Sequence, residues 1–147
     1  LVGPHTDKKY SNRLIKLISN LDPQRQWINL TGELPSLELQ KFTSDADIGV
    51  FASSCENLPN ILLEMMSAGI PIACSSYGPM PEVLQNGGEY FDPENAESIS
   101  KAIQLLIDDP EQAAHYAKNN AQRSSEYSWE LFSKDVFKFM FETTKTQ

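Results

Sequence analysis

Asp47-Ile48-Gly49-Val50-Phe51-Ala52-Ser53-Ser54-Cys55-Glu56-Asn57-Leu58-Pro59-Asn60-Ile61-Leu62-Leu63-Glu64-Met65-Met66-Ser67-Ala68-Gly69-Ile70-Pro71-Ile72-Ala73-Cys74 reads as strand, helix, strand. Asp47 to Ala52 is a largely apolar run of strand length, as a buried parallel strand requires. Pro59 to Ala68 is a helix that stops at Gly69, and Pro71 to Cys74 begins the next strand.

The same alternation extends in both directions. Upstream, Leu1-Val2-Gly3 is the tail of a strand turning at Gly3-Pro4. A helix over Asp7 to Asn20 follows, with Leu14, Ile15, Leu17 and Ile18 as its apolar stripe. Trp27 to Gly32 is a short strand and Leu37 to Ser44 a second helix. Downstream, a helix begins near Pro81-Glu82 and a strand covers Glu89 to Phe91. Ala96 to Ile107 is helical, with Ile99, Ile103, Leu106 and Ile107 inward. Helices over Pro110 to Tyr127 and Trp129 to Thr143 complete the chain, the last carrying Phe132, Val136, Phe139 and Met140 on one side. Alternating strands and helices predict an α/β fold with a Rossmann-like parallel sheet and helices on both faces. Ligands of such sheets sit at the carboxyl ends of the strands. Gly3-Pro4, Gly32-Glu33, Ser53 to Asn57 and Ser75 to Pro79 all fall at those ends.

The 147 residues are expected to form one domain, with 128–145 as a carboxyl-terminal helix. The formal charge of −8 argues against a nucleic-acid partner, which demands a basic face. No run of 18 apolar residues and no basic, apolar leader is present. The chain begins with Leu rather than Met, and is expected to be a piece of something longer. Cys55 and Cys74 could pair, but two cysteines without a denser pattern favour free thiols in a reducing compartment. His5 and His115 lack metal-ligand spacing, so no metal is expected.

Seven residues separate Glu56, in a loop after a strand, from Glu64, in an otherwise apolar helix. A carboxylate among Leu62, Leu63, Met65 and Met66 needs a partner if buried. Sugar or ribose hydroxyls would suit it. Glu56 also lies near a helix amino terminus, where a negative charge is favourable in its own right.

This spacing resembles the Glu-(seven residues)-Glu signature of family 4 (group 1) retaining glycosyltransferases of the GT-B fold. The similarity runs in order through Leu30-Thr31-Gly32, Ala46 to Phe51, Pro71 to Ser76, Gly78 to Val83 and Gly87 to Pro93. It implies the donor-binding, carboxyl-terminal half of an enzyme that moves a sugar from a nucleotide-diphosphate donor to an acceptor hydroxyl with retention. Glu56 would contact the transferred sugar as the catalytic-site carboxylate, and Glu64 the ribose. Asn57, Leu58, Asn60 and Ile61 would form the diphosphate-binding helix start, with Asn57 as its cap. Gly3, Thr31, Gly32, Glu33 and Leu34 would complete the donor site, the last four lining the base. The family is glycine-rich after the first Glu, where this chain has Asn57 and Leu58, and it often has two glycines at Gly78-Pro79.

The resemblance implies no cofactor and no metal beyond the nucleotide-sugar substrate. It implies a strand–helix unit upstream carrying the diphosphate-binding Arg and Lys, and an amino-terminal domain that binds an acceptor glycan or lipid-linked sugar. The carboxyl-terminal helix would cross to that domain, and this chain alone would be inactive. The parent would be a cytoplasmic hexosyltransferase of polysaccharide or glycolipid assembly, with peripheral association at the inner face of the membrane. Two alternatives use the same fold: a noncatalytic nucleotide-binding or interaction module, and a sugar-nucleotide epimerase.

Overall fold

In the computed structural model, which describes residues 1–3 and 7–144, the chain divides into two compact units, Leu1–Lys41 and Phe42–Gln147. Pro4 of the expected first turn, His5 and Lys145 of the 128–145 helix lie outside the described residues. The elements in chain order are α1 (Lys8–Leu21), α2 (Ser36–Ser44), β1 (Gly49–Phe51), α3 (Asn60–Ala68), β2 (Ile72–Ser75), α4 (Met80–Leu84), β3 (Gly88–Phe91), α5 (Ala96–Asp108), α6 (Pro110–Ser124) and α7 (Trp129–Thr144).

In the larger unit the strands form a parallel sheet in the order β1-β2-β3, with Phe51 opposite Cys74 and Ile72 opposite Gly88. Alternate residues of β2 face opposite ways. Ile72 and Cys74 join Phe51, Leu62, Met66, Met80 and Leu84 in one core, built with α3 and α4. Ala73 joins Phe91, Ala102, Leu106 and Ala113 in the other, built with α5 and α6. Both faces are thus covered, as the alternation predicts. Complete burial of Leu62, Met66, Ile72 or Leu84 is worth about 1.5–3 kcal/mol apiece. Gly69 ends α3 with φ 68°, the left-handed conformation that glycine adopts without strain. On α5, Leu106 is buried and Ile99 and Ile103 are half-buried, but Ile107 is exposed and Ala102 takes an inward position. The face is narrower than its apolar residues suggest.

The amino end of this sheet is locked by α6. Asn120, 1% exposed, donates from Nδ2 to the carbonyls of Gly87 (2.8 Å) and Ile70 (3.4 Å), and Arg123 Nε donates to Val83 O at 2.9 Å. A depression of about 230 Å³ opens beside it, lined in part by Asn86, Gly87, Asn120 and Arg123. It lies at the opposite end of these strands from the loop that carries Glu56, and is lined by none of Glu56, Asn57, Leu58, Asn60, Ile61 and Glu64. Both cysteines are free: Cys55 is exposed, and Cys74 is buried, its thiol pushed up to about 12 by that burial. Buried and protonated, Cys74 packs as a small hydrophobe.

In the smaller unit, Asp7 caps α1 by accepting from the N–H groups of Lys9 and Tyr10. Only Ile18 and Ser11 of α1 are buried, while Ile15 and Leu17 are exposed. The expected strand Trp27 to Gly32 is reduced to one parallel bridge, Val2 to Gly32. Its donors are spent elsewhere. The buried Asp22 carboxylate accepts from the N–H groups of Gln26, Trp27 and Ile28 at 2.8–2.9 Å, so two donors of the expected strand cannot enter a ladder.

Burial pushes the Asp22 carboxyl up, but backbone N–H groups of Gln26, Ile28, Trp27 and Arg25 together outweigh it and hold it below the usual value. A lowered carboxyl contributes stability that is present above the unfolded-state value and lost as pH falls through the folded one. Acid melts of the chain should therefore lose stability below the normal aspartate range, and Asp22→Asn should flatten that acid limb. An acid limb identical in the variant would contradict this role.

Candidate functional site

At the carboxyl end of β1 the chain turns through Ala52 to Pro59 before entering α3. Ser53 Oγ donates to Cys55 O at 3.3 Å, tightening the loop ahead of Glu56. Glu56 is half-buried, and its carboxylate has no hydrogen-bond or ion-pair partner among the described residues. Asn57 and Leu58 are exposed.

The start of α3 differs from the expectation in two ways. Pro59, fully buried, occupies the cap position, and Asn57 makes no capping bond. A proline pinned in the core fixes the chain's entry there, so a side-chain cap is not what sets the helix start. The Asn60 N–H is also taken, donating to Leu58 O at 2.9 Å. The first helical bond runs from Leu63 N–H to Pro59 O (3.1 Å), which leaves the N–H groups of Ile61 and Leu62 without a backbone acceptor among the described residues. Unbonded N–H groups at the positive end of a helix dipole are an anion site.

Glu64 is exposed, not set in an apolar environment as its neighbours suggest. The helical period explains the difference. Leu62 and Met66, four apart, point into the core, and the exposed stripe is Asn60, Ile61, Glu64 and Ser67. The Glu64 carboxylate therefore stands on the open face of α3, one turn beyond the free N–H groups. It has no partner among the described residues.

The loops after β2 and β3 share this rim, because the three strands are parallel. Ser76 N–H donates to Phe91 O at 2.8 Å, and Tyr77 N–H to the buried Ser75 Oγ at 3.2 Å. The nearby Asp92 carboxylate, with burial and the charge of Glu94, raises the pKa of the Tyr77 hydroxyl above the tyrosine norm. Gly78 then turns with φ 56°, and Glu82 lies in the first turn of α4, the placement expected of a helix-dipole acid. Nothing in the spacing of Tyr77 and Asp92 singles them out. They are brought near only through the β2–β3 register.

In the smaller unit, Gly3 N–H donates to Gly32 O (2.9 Å), and Thr31 N–H to Leu1 O (3.1 Å). Gly3 and Thr31-Gly32, far apart in sequence, are thus brought together. Gly32 has φ 71°, Glu33 is exposed and Leu34 half-buried. Among the described residues no group of three His, Cys, Asp or Glu could hold a metal ion, and no helix is long and apolar enough to cross a membrane.

Residues 1–123 match the family model of the group 1 glycosyl transferases. The chain belongs to that family. This group 1 domain is 34% identical over 105 residues to the O-antigen chain mannosyltransferase B of Escherichia coli, covering 71% of the chain and 27% of that protein. Its fold matches a sucrose-phosphate synthase from Thermosynechococcus elongatus with a TM-score of 0.83 at 22% identity, over 100% of this chain and 38% of that one. It also matches the Anabaena protein HepE in complex with UDP-glucose, with a TM-score of 0.80 at 18% identity, over 100% of this chain and 40% of that one. The group 1 domain therefore has the α/β, Rossmann-like sheet of GT-B glycosyltransferases, and spans about a quarter of the length of the curated relatives it matches.

Proposed function

We propose that the chain is the donor-binding part of a family 4 retaining glycosyltransferase. The carrying observation is the α3 start: free N–H groups at Ile61 and Leu62, flanked by the unpartnered carboxylates Glu56 and Glu64 at the carboxyl rim of a parallel sheet. The two N–H groups and the helix dipole receive the donor diphosphate. Glu64 accepts hydrogen bonds from ribose hydroxyls, and Glu56 from hydroxyls of the transferred sugar. Asn57, Leu58 and Asn60 border the diphosphate. HepE, with UDP-glucose bound on the same fold, supports a nucleotide-sugar donor.

In catalysis the helix start stabilises charge as it develops on the leaving diphosphate, which is where fixed dipoles act most strongly. No metal is needed for that role. The chain's charge of −8 is balanced, in this reading, by cationic residues of the parent protein. The exposed apolar side of α7, with Trp129 at 78%, Phe132 at 61% and Phe139 at 71% exposure, is covered there by an acceptor-binding domain. The acceptor is a glycan or lipid-linked sugar, in polysaccharide or glycolipid assembly at the cytoplasmic face of a membrane. Without those parts this chain binds donor but transfers nothing.

Retention is tested on the full-length protein with an α-linked donor, by NMR of the anomeric proton of the new glycoside. An α product is expected. A β product would overturn the family 4 assignment.

A further inference from the structure

The α1 helix is a basic stretch in an acidic chain. Lys8, Lys9, Arg13 and Lys16 stand on its 14 residues, and no Asp or Glu does. Residues 1–41 carry six Lys and Arg against four Asp and Glu, whereas the rest of the chain carries six against sixteen. All four α1 cations are exposed, and none makes an ion pair among the described residues. Two of them also sit badly for the helix itself: Lys8 and Lys9 occupy the first turn, where the helix dipole disfavours positive charge. The carboxylates that border α1, Asp7 and Asp22, are engaged by backbone N–H groups. Neither pairing nor helix stability accounts for these charges.

The apolar side of α1 is only partly used. Ser11 and Ile18 are its buried edge and Leu14 is half-buried, while Tyr10, Leu17 and Leu21 are each more than half exposed. Tyr10, Leu14, Leu17 and Leu21 recur at steps of four, three and four, which makes one stripe along the helix. Lys9, Arg13 and Lys16 recur one residue earlier, so a cationic row runs beside the apolar one. Trp27, also more than half exposed, is held at the carboxyl end of α1, its N–H donating to Asp22 Oδ2 at 2.9 Å. Cations beside exposed leucine and aromatic side chains are the pattern of a helix that lies in the plane of a lipid–water interface. A nucleic acid would use the cations but leave the leucines in water, and a second α1 would set cation against cation. The chain's charge of −8 does not oppose lipid, because at about 0.1 M salt a charge is felt over only about 10 Å.

We propose that α1 docks on a bilayer containing anionic lipid, with Lys9, Arg13 and Lys16 at the headgroup phosphates and Tyr10, Leu17 and Leu21 among the upper acyl chains. This surface goes beyond the donor site and does not depend on it, so the two stand or fall separately. Co-sedimentation of the chain with phosphatidylcholine vesicles, and with vesicles of equal parts phosphatidylcholine and phosphatidylglycerol, tests it. Binding is expected to the mixed vesicles alone, and is lost at high salt. Each cation near an anionic surface contributes about fivefold in affinity, so Lys9→Gln, Arg13→Gln and Lys16→Gln together should weaken binding about a hundredfold. Leu17→Gln with Leu21→Gln keeps every charge and should weaken it about tenfold or more. All five positions are exposed, so both variants should melt with the parent chain. Equal binding to the two vesicle types, binding to neither, or full binding by either variant would overturn the proposal. So would α1-dependent binding of duplex RNA, or α1-dependent dimers in light scattering, in place of vesicle binding.

Discussion

Gly88→Ala is expected to cost on the order of 3 kcal/mol of folding stability. A Cβ at Gly88 would collide with the Ile72 carbonyl oxygen and come within 3.1 Å of Leu84 Cδ2. The first neighbour is backbone of the central strand, held in register by the Ile72–Gly88 pairing, and cannot step aside without breaking the ladder. The second is a fully buried side chain in a packed core, where an added methylene forces strained rotamers. Thermal melts followed by circular dichroism should show the midpoint falling by about 10 °C. Gly32→Ala is the useful contrast. Nothing lies within 4 Å of a Cβ there, so the cost is the left-handed backbone alone, about 1 kcal/mol. Equal melting of Gly88→Ala and the parent chain would contradict the β2–β3 register.

The second large effect falls on binding. Glu64→Ala should weaken the nucleoside diphosphate by about 1.5–3 kcal/mol, the value of a hydrogen bond to a charged group, hence tenfold or more. Stability should change by less than about 0.5 kcal/mol. The side chain is exposed on α3, makes no contact that alanine would break, and alanine is the better helix former. Glu64→Gln should retain part of the affinity, since a neutral carbonyl accepts the same protons more weakly. Calorimetric titration of the three proteins separates the outcomes. Unchanged affinity in Glu64→Ala would remove the carboxylate from the site, and a collapse in stability would mean that its role is structural.

Much of this fold is legible in the sequence because its elements are short, apolar and punctuated. Gly69, Pro71 and Gly87-Gly88 bracket β2 and β3, and the period of α5 and α6 is plain. What fails to read through is set by partners distant in sequence. Trp27 and Ile28 have the composition of a strand, but their N–H groups are captured by Asp22. The isolation of Glu64 among leucines and methionines suggests burial, until the helical period turns it outward. At the α3 start, Asn57 has the chemistry of a cap, yet Pro59 is seated in the core and takes the position. The nearness of the loops after Ser75 and Phe91 exists only once β2 and β3 are in register, so no spacing rule announces it. The ordered motifs, by contrast, point to the group 1 family without any coordinates.

The most direct test is titration of the chain with UDP, GDP and ADP at millimolar concentration, following backbone amides by NMR. One nucleotide should shift the Ile61 and Leu62 amides, and in Glu64→Ala the midpoint of those shifts should move to a concentration about tenfold or more higher. Shifts confined to other parts of the chain, or shifts at Ile61 and Leu62 whose midpoint is the same in Glu64→Ala, would contradict it.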